Sequence, residues 1–228
     1  MWDAEYCTLR ADAAVRVPDH VDAAKYAPML CAGVTVFNSL RRMNIGQGKT
    51  VAIQGLGGLG HLAIQYANRF GYRVVALSRD SKKEKLARSL GAHEYIDASK
   101  EDVAEALQRL GGAAMIVLTA VPNPAGVAPL LKGMDMLGKL LILSTIGEVP
   151  IDTGALSGPF RQSEANMCNG QLHGGNSVHA WPSGHATDSR EAIEFAELQG
   201  VNCMVEEFPL EKATEAYGKD TPATVQGN

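Results

Sequence analysis

The stretch Thr50-Val51-Ala52-Ile53-Gln54-Gly55-Leu56-Gly57-Gly58-Leu59-Gly60 decides the fold, because it sets three glycines at G-x-G-x-x-G spacing directly after an apolar run. Residues 50–53 are β-branched or apolar, which is typical of a buried strand. Gly55 permits a tight turn off that strand, Gly57 has no side chain to obstruct a pyrophosphate, and Gly60 lets the next helix pack closely on the sheet. The stretch therefore predicts a dinucleotide-binding loop, with contacts from Gly55, Leu56, Gly57, Gly58, Leu59 and Gly60.

An amphipathic helix is predicted to follow this loop. Apolar residues recur at i, i+3 and i+4 spacing over residues 59–70 and form a stripe that faces a core. The free N–H groups and the positive dipole end of the helix would point at the phosphates. His61 is predicted to lie opposite the stripe, in a surface or supporting position. A structural glycine turn in some other α/β protein is the alternative.

Strand and helix patterns alternate after the loop, which predicts an α/β fold with a doubly wound parallel Rossmann sheet. Strands are predicted at residues 50–53, 72–77, 94–96, 113–119 and 139–144. Further helices are predicted at residues 81–90, with a Ser81/Glu84 capping box, at about 103–110, and at 124–137. The loops after the strands meet at one edge of such a sheet. Thr119 and Ser144, which end the fourth and fifth strands, are therefore predicted to contact the dinucleotide.

The end of the second strand predicts which dinucleotide is preferred. An NAD site usually places a carboxylate there, to bind the ribose hydroxyls. Here the strand ends with Ser78 and Arg79, and Lys83 follows. A hydroxyl with a guanidinium fork suits a 2′-phosphate, so NADP is predicted. NAD stays open because Asp80 is close by, although Asp80 or Ser81 would equally serve as a helix cap.

Composition limits the classes of partner. The chain has 228 residues, 46% of them hydrophobic, and a formal net charge of −4, which gives no basic surface for nucleic acid. No apolar run has the length of a membrane span, and no signal peptide is recognised, so a cytoplasmic protein is expected. The four cysteines form no C-x-x-C pair, which argues against a disulfide framework or a complete structural zinc site.

Three segments resemble one family. Residues 27–37 (Ala-Pro-Met-Leu-Cys-Ala-Gly-Val-Thr-Val-Phe), 54–61 (Gln-Gly-Leu-Gly-Gly-Leu-Gly-His) and 181–185 (Trp-Pro-Ser-Gly-His) are similar to zinc-dependent alcohol dehydrogenases of the medium-chain dehydrogenase/reductase superfamily, in the fungal and cinnamyl-alcohol-dehydrogenase-like branches. The resemblance implies an oxidoreductase that transfers a hydride between NADP(H) and a small alcohol or aldehyde. It also implies that Cys31 is a ligand of the catalytic zinc and that Thr35 lies near the nicotinamide.

The chain departs from this family at both ends and in one internal stretch. A catalytic zinc needs three protein ligands, and in the family two of them come from a preceding domain. Residues 1–20 resemble only the final strands of that GroES-like β domain, so we expect a remnant there, and a chain incomplete for catalysis. Residues 21–220 are predicted to form the NAD(P)-binding Rossmann domain, with an atypical loop insertion at about 157–177, and residues 221–228 form a polar tail.

Two alternatives therefore remain at this point. One is a dinucleotide-binding remnant without turnover, and the other is a zinc-independent quinone or enoyl reductase, which Cys31 disfavours. The resemblance also implies a homo-oligomer, formed through the sheet edge near residues 178–181.

Overall fold

A computed structural model describes residues 6–119, 124–144, 147–151, 153, 156 and 175–216. These residues form a six-stranded sheet whose strands follow the order β3-β2-β1-β4-β5-β6, and every neighbouring pair is parallel. The strands are β1 (Thr50–Gln54), β2 (Arg73–Ser78), β3 (Glu94–Asp97), β4 (Ala113–Leu118), β5 (Met134–Ile142) and β6 (Ser177–Ala180). This strand order is that of the dinucleotide-binding fold, so the predicted doubly wound sheet is confirmed.

Helices cover both faces of the sheet. They are α1 (Ala23–Tyr26), α2 (Ala32–Arg42), α3 (Gly58–Arg69), α4 (Glu84–Ser89), α5 (Val103–Arg109), α6 (Val127–Leu130) and α7 (Ala186–Gln199). Short 3-10 turns lie at Ala11–Ala13, Ala27–Leu30, Pro124–Gly126, Leu131–Gly133 and Leu210–Lys212. Because side chains alternate along β1, Val51 and Ile53 join one core while Ala52 joins the other. Burial on both faces explains why the strands are apolar throughout.

An aromatic cluster joins the helices on one face of the sheet. Phe37 of α2, Tyr66 of α3 and Phe195 of α7 pack around Phe70, with ring centroids 4.9 Å apart for Phe70 and Phe195 and 5.6 Å apart for Phe37 and Tyr66. The Tyr66 hydroxyl is fully buried and donates to the carbonyl oxygen of Ala192 at 3.2 Å. Burial raises the pKa of Tyr66, so the phenol stays neutral. The cluster fixes α2 and α7 relative to the helix that follows the glycine loop.

Two helix predictions were wrong in their extent. The helix expected at 124–137 is only α6 with a 3-10 turn on either side, and the chain enters β5 at Met134. Leu137 has φ +56°, in the left-handed region that a helix excludes, where the β4–β5 register also shifts. The Ser81/Glu84 capping box is also absent, since α4 begins at Glu84 without a side-chain cap. The Asp80 carboxylate instead accepts from the Lys82 amide at 2.9 Å and closes a turn.

The predicted domain remnant, insertion and tail are described by the structure only in part. Among residues 6–22 the structure has one 3-10 turn and no strand, and the assignment of residues 1–20 to the remnant of a β domain stays a prediction. Most of the predicted insertion (157–174) and all of the predicted tail (221–228) lie outside the described residues. None of the described helices is long and apolar enough to cross a membrane.

Candidate dinucleotide-binding site

The glycine loop has the geometry that its spacing predicts. Gly55 has φ +93°, which side chains rarely adopt, and its amide donates to the carbonyl oxygen of Leu77 at 3.2 Å. A Cβ on Gly60 would lie 1.8 Å from the carbonyl oxygen of Gly55, so α3 packs directly on the turn. A Cβ on Gly57 or Gly58 would meet no atom within 4 Å. The loop is therefore closed on the side of the sheet and open on the side where a dinucleotide would lie.

The amino end of α3 faces this open side. Gly57 is the N-cap residue and offers no side chain to accept from the first amides of the helix. The first N–H groups of a helix have no carbonyl partner within it, and the helix dipole adds positive potential there. These groups suit the pyrophosphate of a dinucleotide.

Thr119 supports the loop from below. Its hydroxyl donates to the carbonyl oxygen of Gln54 at 2.7 Å and lies 3.1 Å from that of Gly55, and its amide also donates to Gln54. The side chain is buried, and Thr119 Oγ1 would lie 3.2 Å from a Cβ on Gly60. The structure thus places Thr119 at the loop, with its hydroxyl bonded to the backbone. Its direct contact with a dinucleotide stays a prediction.

The predicted 2′-phosphate residues lie beside the loop. Ser78 ends β2 and is half-buried, and Arg79 is exposed immediately after it. The Lys83 ammonium donates to the carbonyl oxygen of Leu56 at 2.9 Å, which ties the start of α4 to the glycine loop. One carboxylate oxygen of Asp80 accepts from the Lys82 amide in a local turn. The structure therefore brings Ser78, Arg79 and Lys83 to one end of the loop.

Three buried polar atoms at the carboxyl edge of the sheet lack a hydrogen-bond partner among the described residues. One of them, Oδ2 of Asp97 at the end of β3, faces the Lys100 ammonium at 3.3 Å. The other two are Oε1 of Gln54, at the end of β1, and Oγ of Ser144, two residues after β5. Buried polar groups are nearly always hydrogen-bonded, so orphans of this kind are typical of positions that meet a ligand or water. The predicted residue Ser144 thus lies at the edge where the other strand ends converge.

Thr35 and the loop of residues 181–185 form the second part of the site. Thr35 is buried in α2, its hydroxyl donates to the carbonyl oxygen of Cys31 at 2.7 Å, and it lies 3.5 Å from Ser183 Oγ. The carbonyl oxygen of Ser183 accepts from Asn38 at 3.1 Å and from the Trp181 indole at 2.8 Å. Because this loop follows the carboxyl end of β6, it places Thr35 at the edge of the sheet that carries the glycine loop.

The described residues do not fit a catalytic zinc by themselves. Cys31 lies between the 3-10 turn Ala27–Leu30 and α2, and its thiol is exposed. Among the described residues no group of three His, Cys, Asp or Glu side chains lies close enough to hold a metal ion. The role of Cys31 as a zinc ligand therefore stays a prediction.

His61 contributes to the site in a way that the sequence did not specify. The side chain is buried, with Nδ1 3.2 Å from the carbonyl oxygen of Gly57 and Nε2 accepting from the Met204 amide at 3.1 Å. Burial lowers the pKa of the imidazole below its ordinary value, although the bond to Gly57 opposes this. Residues 201–204 cover the polar face of α3, opposite its apolar stripe. The only sequence signal was the i, i+4 spacing of His61 from Gly57.

We expect the thermal stability of the chain to fall in mild acid because of His61. The pKa of His61 is lower in the folded chain than in the unfolded chain. Below about pH 6.5 the unfolded chain therefore binds a proton at this residue more readily than the folded chain does, and the free energy of unfolding decreases as pH falls. Thermal denaturation of wild type and His61→Asn between pH 5.5 and 8 measures this contribution. The difference in melting temperature between wild type and His61→Asn should become smaller toward pH 5.5. A difference that stays constant over this pH range would contradict the prediction.

Comparisons with known proteins agree with this geometry. A family model described as zinc-binding dehydrogenase matches residues 58–168. The alcohol dehydrogenase patD of Aspergillus clavatus is 62% identical over 229 residues, which cover 97% of this chain and 59% of that protein. The patD protein of Penicillium expansum is 61% identical over 214 residues, with 94% of this chain and 58% of that protein covered. Among solved structures, the cinnamyl alcohol dehydrogenase SbCAD4 of Sorghum bicolor has a TM-score of 0.72 at 25% identity, over 92% of this chain and 56% of that one. The chain thus spans somewhat more than half the length of the relatives it matches.

Proposed function

Because the chain belongs to the zinc-binding dehydrogenase family, we propose that it binds NADP(H) at the glycine loop and serves hydride transfer between this dinucleotide and a small alcohol or aldehyde. One observation carries the proposal. The space above Gly57 and Gly58 is open beside the uncapped amino end of α3, while Gly60 packs against Gly55 with no room for a side chain. A glycine turn with only a structural role would not need that open side.

The bound nicotinamide supplies the carbon that accepts or gives the hydride. The chain's own residues bind and orient. The first amides of α3 hold the pyrophosphate, and Thr119 keeps the loop in place through Gln54 and Gly55. Near Thr35, the loop of residues 181–185 is fixed on α2 through the Ser183 carbonyl, which makes this part of the site rigid. Such fixed positioning is what hydride transfer requires from the protein.

The preference for the phosphorylated dinucleotide is supported by charge. Arg79 is exposed, and no hydrogen bond or ion pair with another described residue occupies its guanidinium. Lys83 lies on the Leu56 carbonyl and adds a second positive charge at the same end of the loop. A guanidinium and an ammonium beside the Ser78 hydroxyl suit the oxygens of a 2′-phosphate. Asp80, the carboxylate that would favour NAD, directs one of its oxygens to the Lys82 amide.

Titration of the chain with NADPH and with NADH, followed by nucleotide fluorescence, tests both parts of the proposal. NADPH is expected to bind more tightly. Arg79→Gln should weaken NADPH binding about 10-fold, since one charge-assisted phosphate contact is lost, and leave NADH unchanged. Arg88→Gln is the matched control, because Arg88 lies on α4, is similarly charged and pairs with Glu84.

The outcomes separate the two parts. No response to either nucleotide would remove the binding proposal. Equal affinity for the two, or an equal loss of both in Arg79→Gln, would remove only the preference for NADP.

A second candidate is a protein that binds the dinucleotide without turnover. It is favoured by the absence, among the described residues, of three side chains that could hold a metal together. Zinc content and NADPH-dependent aldehyde reduction, measured on the same purified chain, distinguish the candidates. Stoichiometric zinc with clear turnover supports the dehydrogenase. Nucleotide binding without zinc and without turnover supports the binding protein.

We also propose β6, the edge strand of the sheet, as the contact of a homo-oligomer.

A further inference from the structure

His61 connects two parts of the molecule that are distant in sequence. It lies in the first turn of α3, and its ring reaches the Gly57 carbonyl on one side and the Met204 amide on the other. Met204 can only donate to Nε2, and the Gly57 carbonyl can only accept from Nδ1. One neutral tautomer, with the proton on Nδ1, satisfies both contacts. The ring is buried, so neither bond is readily replaced by water.

The bond to Gly57 acts on the loop itself. The Gly57 carbonyl belongs to the peptide unit whose N–H is that of Gly58, the first amide of α3. This carbonyl also accepts from the His61 backbone amide at 3.0 Å. Two donors on one oxygen fix the plane of the peptide and therefore the direction in which the Gly58 N–H points. Glycines at 57 and 58 leave the backbone unusually free, so this restraint replaces one that side chains would otherwise give.

The bond to Met204 acts on the segment of residues 201–204. Val201 and Cys203 bury their side chains in the core, and the segment is held on α3 at two places one turn apart. At the first, Gln65 donates to the Asn202 carbonyl at 2.9 Å and accepts from its amide at 3.0 Å. At the second, His61 accepts from Met204. Only the second place also touches the glycine loop, so Gln65 offers a matched control.

We propose that His61 is a positioning residue, which aims the Gly57–Gly58 peptide at the pyrophosphate through Nδ1 and couples that peptide to residues 201–204 through Nε2. The inference rests on the proposed dinucleotide binding and assigns a further residue to the same site. A ligand that favours the aimed peptide must also favour the Met204 contact, because coupling between two positions is reciprocal.

Two substitutions separate the two nitrogens. His61→Asn places an amide donor near the position of Nδ1 and removes the group that accepts from Met204. His61→Gln places an acceptor near the position of Nε2 and removes the donor to Gly57. We expect NADPH affinity, measured by fluorescence titration on the full chain, to fall about five-fold in His61→Gln, as for loss of one hydrogen bond. His61→Asn keeps a donor to Gly57 and loses the coupling to Met204, so its loss of affinity should be smaller, about two-fold, and Gln65→Ala should bind NADPH as wild type does.

Amide hydrogen exchange in wild type gives a readout that does not depend on the variants folding. Saturating NADPH should slow exchange of the Met204 amide several-fold and leave the Asn202 amide, which is bonded to Gln65, largely unchanged. Equal affinity losses in His61→Asn and His61→Gln, no loss in either, or equal protection of both amides would overturn the positioning role. If wild type gives no NADPH response, the proposed function itself fails, which is a different result.

Discussion

Gly60→Ala is expected to abolish dinucleotide binding and to destabilise the fold strongly. The added Cβ would lie 1.8 Å from the carbonyl oxygen and 2.8 Å from the carbonyl carbon of Gly55. Both atoms are backbone, and Gly55 is held in turn by Leu77, so the clash cannot be relieved by a side-chain rotation. The cost should reach the upper end of overpacking, about 3 kcal/mol. Urea denaturation measures the loss of stability, and NADPH titration measures the loss of binding.

The neighbouring glycines provide controls with different expected results. Gly58→Ala adds its methyl group in open space at the first position of α3, so stability should stay or rise by about 0.5–1 kcal/mol. Gly57 has an extended backbone, with φ −108° and ψ −153°, which alanine can adopt, so Gly57→Ala should fold. Its methyl group would occupy the space proposed for the pyrophosphate, and NADPH affinity should fall at least about 10-fold. Wild-type stability and affinity in Gly60→Ala would contradict this account of the loop.

The fold and the glycine loop could be predicted because local rules decide both. Gly55, with φ +93°, and Gly60, with no room for a Cβ, are positions where only glycine fits, and their spacing shows in the sequence. Apolar strands separated by helices then leave few topologies for the chain to adopt. The alternation predicted a doubly wound parallel sheet, and the observed order β3-β2-β1-β4-β5-β6 is one such sheet.

The features that the sequence did not predict depend on contacts between distant residues. Residues 134–137 have a helical pattern, but pairing of β5 with β4 draws Met134 into the sheet, and Leu137 turns the chain. The burial of His61 depends on Met204, which lies 143 residues further along the chain. Local propensity contains no information on either partner, so tertiary contacts override it.

The metal prediction has a different limit. Cys31 was assigned by resemblance, and a ligand set gathers side chains from several parts of a structure. In the part of the chain that the structure describes, Cys31 is exposed and belongs to no group of three such side chains. The dinucleotide site, by contrast, is formed by one contiguous loop and nearby strand ends. The geometry of the described residues therefore supports dinucleotide binding at the glycine loop and does not support zinc binding at Cys31.

Asp188→Ala is expected to have the second large effect, because it breaks the junction between α2 and α7. The Asp188 side chain is only 8% exposed. It accepts from the His185 amide at 2.8 Å, which caps α7, and from Arg41 at 2.5 Å. Arg41 lies over the Phe37 ring, 4.7 Å from its centroid. Removal of the carboxylate leaves the His185 amide without its acceptor and the half-buried Arg41 with only its more exposed partner Glu191, for which we expect a loss of about 3 kcal/mol.

The control for this substitution is Glu191→Ala, since Glu191 also pairs with Arg41 but its side chain is 46% exposed. That change should cost less than about 1 kcal/mol. The hydrogen bond from the His185 amide, followed by that from Arg41, holds the pKa of Asp188 below its ordinary value. Its contribution is therefore complete above about pH 4 and is lost as pH falls through the folded pKa. In urea denaturation, the free energies of unfolding of wild type and Asp188→Ala should therefore become more similar below pH 4. Equal losses in the two variants at pH 7 would show that the pairs formed by Arg41 are interchangeable, and that burial of Asp188 does not stabilise the α2–α7 junction.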